Sequence, residues 1–376
     1  MFKLKPFQKQ ALQHLQAPSH VICVAATGSG KSLVYERATQ LYGFRTLLFT
    51  PLVALGRQQK ANIQNLGLGE SEIRIMSPEK LFEPDKQKPL SELKNWRPDF
   101  LVVDECHCLW EWGEDFRPAF LQIPRVFELF KMKRSLWLTA TLTPHDRAEL
   151  RTLLQGPVHE VGGFSLPKKL YLELRQIALP WRVEFLCDWV KKNPGPGIVF
   201  VSSRAMTHRL EKLFGIMGKR TLTYHAGMSS EERLNAEALI KSGQIEVVFA
   251  TSAFGMGMDI DVLKWVVIWQ APYSLLGLAQ AIGRVGRAGS EGRALILWDW
   301  DDFSLIEWSL GKSYRRRRSL QSVLSYFEYK GCRRHALERY FEAELSPQPC
   351  GYCDFCNDGL NEGHENNYRV LRLSSS

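Results

Sequence analysis

Ala25-Ala26-Thr27-Gly28-Ser29-Gly30-Lys31-Ser32 decides how this chain is read. It follows Val21-Ile22-Cys23-Val24, an apolar run that predicts a buried strand. A glycine-rich turn between a strand and a helix lines up consecutive backbone N–H groups. Together with the positive end of the helix, these can wrap a polyphosphate. In that frame Lys31 reaches the β/γ-phosphates and the Ser32 hydroxyl ligands Mg²⁺, while Thr27, Gly28, Ser29 and Gly30 form the cradle. Ala25 stands where the G-x-x-x-x-G-K-[ST] spacing usually has its first glycine, so the match is short by one position. The expectation is a nucleotide site; the plain alternative is a tight turn with a solvated lysine.

A second element lies downstream. Phe100-Leu101-Val102-Val103 is another apolar strand, and it runs into Asp104-Glu105-Cys106-His107. Two adjacent carboxylates at a strand end repel each other unless a cation or a reacting water uses their charge. The division of labour expected is Asp104 toward Mg²⁺ and Glu105 toward the attacking water. An ordinary exposed turn would carry the same pair without the chemistry, but with the phosphate loop upstream the two elements together read as an NTPase.

The chain has 376 residues, enough for two ordinary domains and a small further module. With 45% hydrophobic and 24% charged residues it has a globular composition, and its net charge of +9 suits a polyanionic partner. Met1-Phe2-Lys3-Leu4-Lys5-Pro6 lacks the apolar core of an export signal, and no run is long enough to span a bilayer. A cytoplasmic setting without membrane contact is therefore expected.

Short apolar runs at 21–24, 46–49, 100–103 and 135–138, then at 197–201, 246–250, 264–269 and 293–298, alternate with amphipathic stretches such as Ala205 to Phe214 and Ser230 to Ile240. That rhythm predicts parallel strands with crossover helices in two successive α/β units. Glycine and proline concentrate at Gly162-Gly163-Phe164-Ser165-Leu166-Pro167, the expected joint. After Asp302 the pattern turns helical and basic, including Arg315-Arg316-Arg317-Arg318. These arginines suit either DNA phosphates or a solvated helix face.

The second unit has a glycine-rich loop, Ala250 to Asp259, and then Gln280-Ala281-Ile282-Gly283-Arg284-Val285-Gly286-Arg287. Two arginines three residues apart and spaced by glycines suit a cation that reaches across a cleft to a γ-phosphate; alone, the string would pass for a basic surface loop.

With these motifs on view, the chain resembles the RecQ family of superfamily 2 DNA helicases from about residue 4 to residue 356, in a short form that ends after the zinc-binding module. Leu4-Lys5-Pro6-Phe7-Gln8 is similar to the family's adenine-reading motif, which implies that Gln8 binds the base. Thr50-Pro51-Leu52-Val53-Ala54-Leu55 and Ser77-Pro78-Glu79-Lys80-Leu81 resemble first-lobe DNA-contact motifs; Tyr224-His225-Ala226-Gly227 and the Ala250–Asp259 loop resemble second-lobe ones. Leu138-Thr139-Ala140-Thr141 resembles the motif that couples the two activities, which implies coupling roles for Thr139, Thr141 and Gln280. The most family-specific stretch is His107-Cys108-Leu109-Trp110-Glu111-Trp112-Gly113-Glu114-Asp115-Phe116-Arg117-Pro118, similar to an aromatic-rich loop. There Trp112 and Phe116 can stack on bases, at about 1–3 kcal/mol each, and Arg117 can meet phosphate. Aromatics also fill cores, but the interleaved charges make this a poor core segment.

Cys332 and then Cys350-Gly351-Tyr352-Cys353-Asp354-Phe355-Cys356 supply four thiolates in a spacing that suits tetrahedral Zn²⁺. Disulfides are disfavoured without an export signal, and an iron–sulfur cluster uses the same donors. The flanking Cys332-Arg333-Arg334-His335 and Arg339-Tyr340-Phe341 resemble the RecQ zinc module, which implies a structural zinc. Cys23, Cys106, Cys108 and Cys187 read as small core residues.

The sequence departs from the family in places. Ala281 and Ala288 stand where acidic residues are usual, and Lys5 replaces an arginine. With twenty residues past Cys356, the winged-helix domain that RecQ proteins usually carry is not expected, and on that expectation strand separation is more in doubt than ATPase activity.

The fold expected is α/β: two tandem RecA-like domains with parallel sheets at 1–163 and 164–305, a helical zinc-binding module at 306–358, and a polar tail at 359–376. The resemblance implies an ATP-dependent 3′→5′ DNA helicase or translocase that uses ATP, Mg²⁺ and Zn²⁺. It would act on single-stranded and forked DNA in repair or recombination, as a monomer, nucleoid-associated in a bacterial cell. Lys31, Asp104, Glu105, Arg284 and Arg287 would be catalytic, with Arg287 the preferred finger. A DEAD-box-like RNA helicase and a zinc-dependent DNA-binding or annealing protein with a nucleotide switch are the rival readings.

Overall fold

All eight apolar runs form strands buried in two parallel sheets. In the computed structural model the described residues are 3–51, 59–60, 63–82, 87–112, 118–254, 261–309, 313–343 and 349–358. The first sheet contains β1 (His20–Val24), β2 (Thr46–Phe49), β3 (Ile73–Met76), β4 (Phe100–Val103), β5 (Ser135–Thr139) and β6 (Val158–Gly162), in the order β3-β2-β4-β5-β1-β6. The second contains β7 (Leu170–Gln176), β8 (Gly197–Phe200), β9 (Thr221–Tyr224), β10 (Val247–Ala250), β11 (Trp265–Ile268) and β12 (Gly292–Trp298), in the order β7-β12-β11-β8-β10-β9.

Parallel strands joined by helices are covered on both faces, so alternate residues of one strand enter different apolar layers. In the first lobe Val21, Cys23, Leu48, Val102 and Leu138 pack in one layer. Ile22, Val24, Phe49, Val103 and Trp137 pack in the other. The second lobe repeats the arrangement, with Ile198, Val248, Val266 and Ile296 on one side and Val199, Phe249, Val267 and Leu297 on the other. Cys23, Cys106 and Cys108 are fully buried in these layers, and Cys187 is half-buried.

The helices after residue 300 share the second lobe's core. Leu320, Val323, Tyr326, Phe327, Leu337, Phe341 and Cys353 belong to the same apolar cluster as Leu172 and Ile296. The cysteine segment also closes the exposed edge of the second sheet. Leu172 N–H on β7 donates to Tyr352 O at 3.0 Å, and Leu174 N–H donates to Asp354 Oδ2 at 2.9 Å. An uncovered strand edge invites pairing with other chains, and here a folded segment caps it.

The lobes also meet away from the strand ends. Arg315, in the first turn of the helix Tyr314–Glu328, reaches the first-lobe helix Pro144–Leu153. Its guanidinium donates to Asp146 Oδ1 at 2.6 Å and to both Glu149 oxygens at 2.8 and 2.9 Å. Arg315 is therefore an interlobe pin, its guanidinium committed to first-lobe carboxylates. Among the described residues, no helix is long and apolar enough to cross a membrane.

Candidate functional site

The phosphate loop leaves the C-terminal end of β1 and enters α2 (Ser32–Tyr42). Gly28 and Gly30 have φ of 73° and 84°, a region that side-chain-bearing residues rarely adopt. A Cβ on Gly30 would also stand 3.0 Å from Gln8 Nε2. Lys31 is buried, and its ammonium donates to Ala25 O at 2.9 Å and Ala26 O at 3.3 Å. In this state the loop's own carbonyls hold the charge that a phosphate would take. Ser32 opens α2, whose N-terminus faces the same loop. Ser29 Oγ is buried with no hydrogen-bond partner among the described residues, an orphaned donor in the middle of the cradle.

Gln8 sits against this loop. Its Oε1 accepts from Lys5 N–H at 2.8 Å, and its Nε2 donates to Gly30 O at 2.8 Å. Lys5 Nζ donates to Ser29 O at 2.9 Å. One amide hydrogen and one lone pair of Gln8 remain, which is what recognition of a base edge requires.

Asp104 and Glu105 leave the end of β4, two strands away from β1 in the sheet. Asp104 is buried; its Oδ1 accepts from Glu105 N–H at 3.0 Å, and its Oδ2 accepts from Gln59 Nε2 at 2.7 Å. Burial, reinforced by the neighbouring charge of Glu105 and opposed by Lys31, pushes the Asp104 carboxyl up to about 7. A buried carboxylate beside a second one fits a divalent cation, which supplies the charge the site lacks. Glu105 has φ of 50°, a left-handed conformation that costs a non-glycine residue about 1–3 kcal/mol and clusters at functional sites.

From Glu105 a polar chain crosses to the second lobe. Gln280 Nε2, on the helix Leu275–Ile282, donates to His107 Nε2 at 2.7 Å and to Thr141 Oγ1 at 3.3 Å. The accepting Nε2 places the imidazole proton on Nδ1, which faces Thr139 Oγ1 at 3.0 Å and Glu105 Oε2 at 3.4 Å. Thr139 Oγ1 then donates to Thr141 O at 2.8 Å. Thr139, Thr141 and Gln280 thus meet around one histidine that also faces the Glu105 carboxylate.

Arg284 and Arg287 follow Gln280 and are both buried. Arg287 Nε donates to Gly283 O at 3.2 Å, and its Cδ lies 4.0 Å from where a Cβ on Gly28 would stand. The second-lobe arginine therefore approaches the first-lobe phosphate loop.

The four thiols of Cys332, Cys350, Cys353 and Cys356 lie within 4.8 Å of one another. Cys350 and Cys356 are 3.8 Å apart, and Cys332 and Cys353 are 4.0 Å apart. A tetrahedron with Zn–S bonds of about 2.3 Å has S···S edges of roughly 3.8 Å, so the donor set fits zinc. Backbone N–H groups of His335, Tyr352 and Cys356 donate to the Cys332, Cys350 and Cys353 sulfurs. The Cys350 thiol, helped by the backbone N–H groups of Cys356 and Arg333 and opposed by burial, pulls Cys353 down to about 5, so one sulfur of the cluster favours thiolate.

Of the remaining expected residues, Phe116 and Arg117 lie outside the described residues, as do Leu52–Leu55 and Gly255–Asp259. Trp112 is described only as the end of the helix Cys108–Trp112. Its neighbour Trp110 donates its indole N–H to Glu149, the carboxylate that also receives Arg315. Sequence alone assigns no role to His107, although it stands two residues beyond Glu105, and none to Gln59, which nothing local marks.

Three family models match the chain. DEAD/DEAH box helicase matches residues 5–77, helicase conserved C-terminal domain matches 181–289, and RecQ zinc-binding matches 302–357, the span that holds all four clustered cysteines. The chain belongs to the RecQ family. It is 29% identical over 369 residues to the ATP-dependent DNA helicase RecQ of Pasteurella multocida, covering 90% of this chain and 57% of that protein. It is 25% identical over 387 residues to the RecQ of Bacillus subtilis, covering 95% of this chain and 65% of that protein. This RecQ-family chain therefore spans less than two thirds of either relative. Its fold is similar to that of Saccharomyces cerevisiae Dbp5 bound to RNA and ADP BeF3, with TM-score 0.66, 16% identity, and 87% and 88% of the two chains covered. It is also similar to Mycobacterium smegmatis Lhr bound to ssDNA and AMP-PNP, with TM-score 0.61, 21% identity, and 87% and 48% covered.

Proposed function

We propose that this RecQ-family chain is a DNA-stimulated ATPase that moves 3′→5′ along single-stranded DNA and unwinds short or forked duplexes, with a role in repair or recombination. The observation that carries the reading is that Arg287 approaches the phosphate loop at Gly28 while Gln280 hydrogen-bonds His107 and Thr141 across the lobes, so both lobes line the nucleotide site. Lys31 exchanges the carbonyls of Ala25 and Ala26 for phosphate oxygens. Ser32 and Asp104 would hold Mg²⁺, which supplies charge neutralisation at the phosphates when bound. Glu105 orients the attacking water, and Arg287, with Arg284 beside it, offsets charge building on the transferred phosphoryl group.

His107 ties hydrolysis to lobe position. Parting the lobes withdraws Gln280, releases the imidazole and alters the partner of Glu105, so the carboxylate is set for chemistry only in the closed state. The four cysteines would hold a structural zinc, since a full thiolate shell leaves no position for a substrate. The zinc match at 302–357 favours a RecQ motor over a DEAD-box RNA helicase.

The test is steady-state ATP turnover alone, with single-stranded DNA and with RNA of the same length, using Lys31→Ala as the inactive control. Strong stimulation by DNA is expected. Equal rates in all three conditions would refute coupling, and preferential stimulation by RNA would refute the DNA assignment.

A further inference from the structure

Gln59 is buried, and its two amide ends are in unequal circumstances. Its Nε2 donates to Asp104 Oδ2 at 2.7 Å, a charge-assisted bond inside the protein. Its Oε1 is buried and has no hydrogen-bond partner among the described residues. Two further buried oxygens near the same carboxylate are equally unpaired. Thr50 follows β2 in register with Asp104 following β4, and its Oγ1 has no partner. The Tyr35 hydroxyl, which feels the Asp104 charge, has none either. An unpaired buried acceptor costs about 1–3 kcal/mol, so a native protein retains one where something else satisfies it.

The ligand chemistry that fits is a hydrated divalent cation. Mg²⁺ binds through one or two carboxylates and keeps several waters, whose hydrogens are strong donors. We infer that Gln59 is a positioning residue for the cation that accompanies the nucleotide: its N–H fixes Asp104, and its Oε1 accepts a hydrogen bond from a cation-bound water. Asp104 is then held on both oxygens, by Glu105 N–H at 3.0 Å and by Gln59, and each oxygen keeps a lone pair for the cation or its waters. Outer-shell groups of this kind orient the ligand and set metal affinity without touching the metal. The inference rests on the nucleotide-hydrolysis reading above and adds a residue and a role to it.

The experiment is equilibrium binding of a fluorescent ATP analogue across a Mg²⁺ series and in EDTA, with the full chain and no turnover. Gln59→Met keeps the length and loses both hydrogen bonds. It should raise the half-saturating Mg²⁺ concentration about 10- to 100-fold and leave nucleotide affinity in EDTA unchanged. Gln59→Glu keeps an acceptor toward the cation and adds charge but gives up the N–H donor to Asp104, so its half-saturating Mg²⁺ should stay below that of Gln59→Met, less than about 10-fold above wild type. This second variant also decides the matter if Gln59→Met folds poorly. A Gln59→Met response within twofold of wild type, or a Gln59→Glu response as weak as that of a hydrogen-bond deletion, overturns the inference alone. Wild-type nucleotide binding that ignores Mg²⁺ overturns the hydrolysis reading together with it.

Discussion

Replacing Arg315 with alanine should loosen the closed arrangement of the lobes. Arg315 donates to Asp146 at 2.6 Å, and the Asp146 side chain is only 8% exposed. A hydrogen bond to a charged group in that setting contributes about 1.5–3 kcal/mol. The fork onto Glu149 is weaker, because Glu149 is 39% exposed and screened, and adds roughly 0.5–1 kcal/mol. Asp146 keeps its bond from Thr143 Oγ1, so part of the loss is recovered. The net effect is about 2–3 kcal/mol, or roughly a 30- to 150-fold shift toward parted lobes. Dyes at the exposed positions Leu41 and Ile216 would report the interlobe distance by energy transfer. The account predicts a broader, longer distribution for Arg315→Ala and a rise in KM for ATP. A double-mutant cycle with Asp146→Asn should return a coupling energy above about 1 kcal/mol. A distance distribution superimposable on that of wild type, with no coupling, would refute the reasoning.

Stripping zinc, or Cys353→Ser, should destabilise the whole second lobe, because the cysteine segment shares its core and caps β7. A loss of about 3 kcal/mol would lower that lobe's melting temperature by roughly 6–12 °C in calorimetry; an unchanged transition would contradict the shared core. The Asp104 carboxyl, raised to about 7 by burial, binds its proton more tightly in the folded chain than in the unfolded one. Metal-free protein should therefore lose stability as pH rises from about 4 through 7, and Asp104→Asn should flatten that slope over the same range. Because the cation displaces the same proton, Mg²⁺-dependent nucleotide binding should strengthen over that range.

The strands that were legible from sequence are the central ones. β1, β2, β4, β5, β8, β10, β11 and β12 are covered on both faces and so show continuous apolar runs. β3, β6, β7 and β9 were passed over, and these four are the edges of the two sheets. An edge strand such as Leu170–Gln176 alternates buried and half-exposed residues and carries Glu173 and Arg175, which dilutes the apolar signal. The site divides along a similar line. The phosphate loop, the Asp104–Glu105 pair and the cysteine run are contiguous, so spacing alone reveals them. Gln59, His107 and Arg315 act on partners 45, 173 and 169 residues away, and no local pattern announces such contacts.

The most direct test is single-turnover ATP hydrolysis by Arg287→Ala with saturating single-stranded DNA, measured beside its equilibrium affinity for nucleotide. If the second lobe completes the site, hydrolysis should fall by about 10³-fold or more while affinity changes only a few-fold. Hydrolysis at the wild-type rate would contradict it.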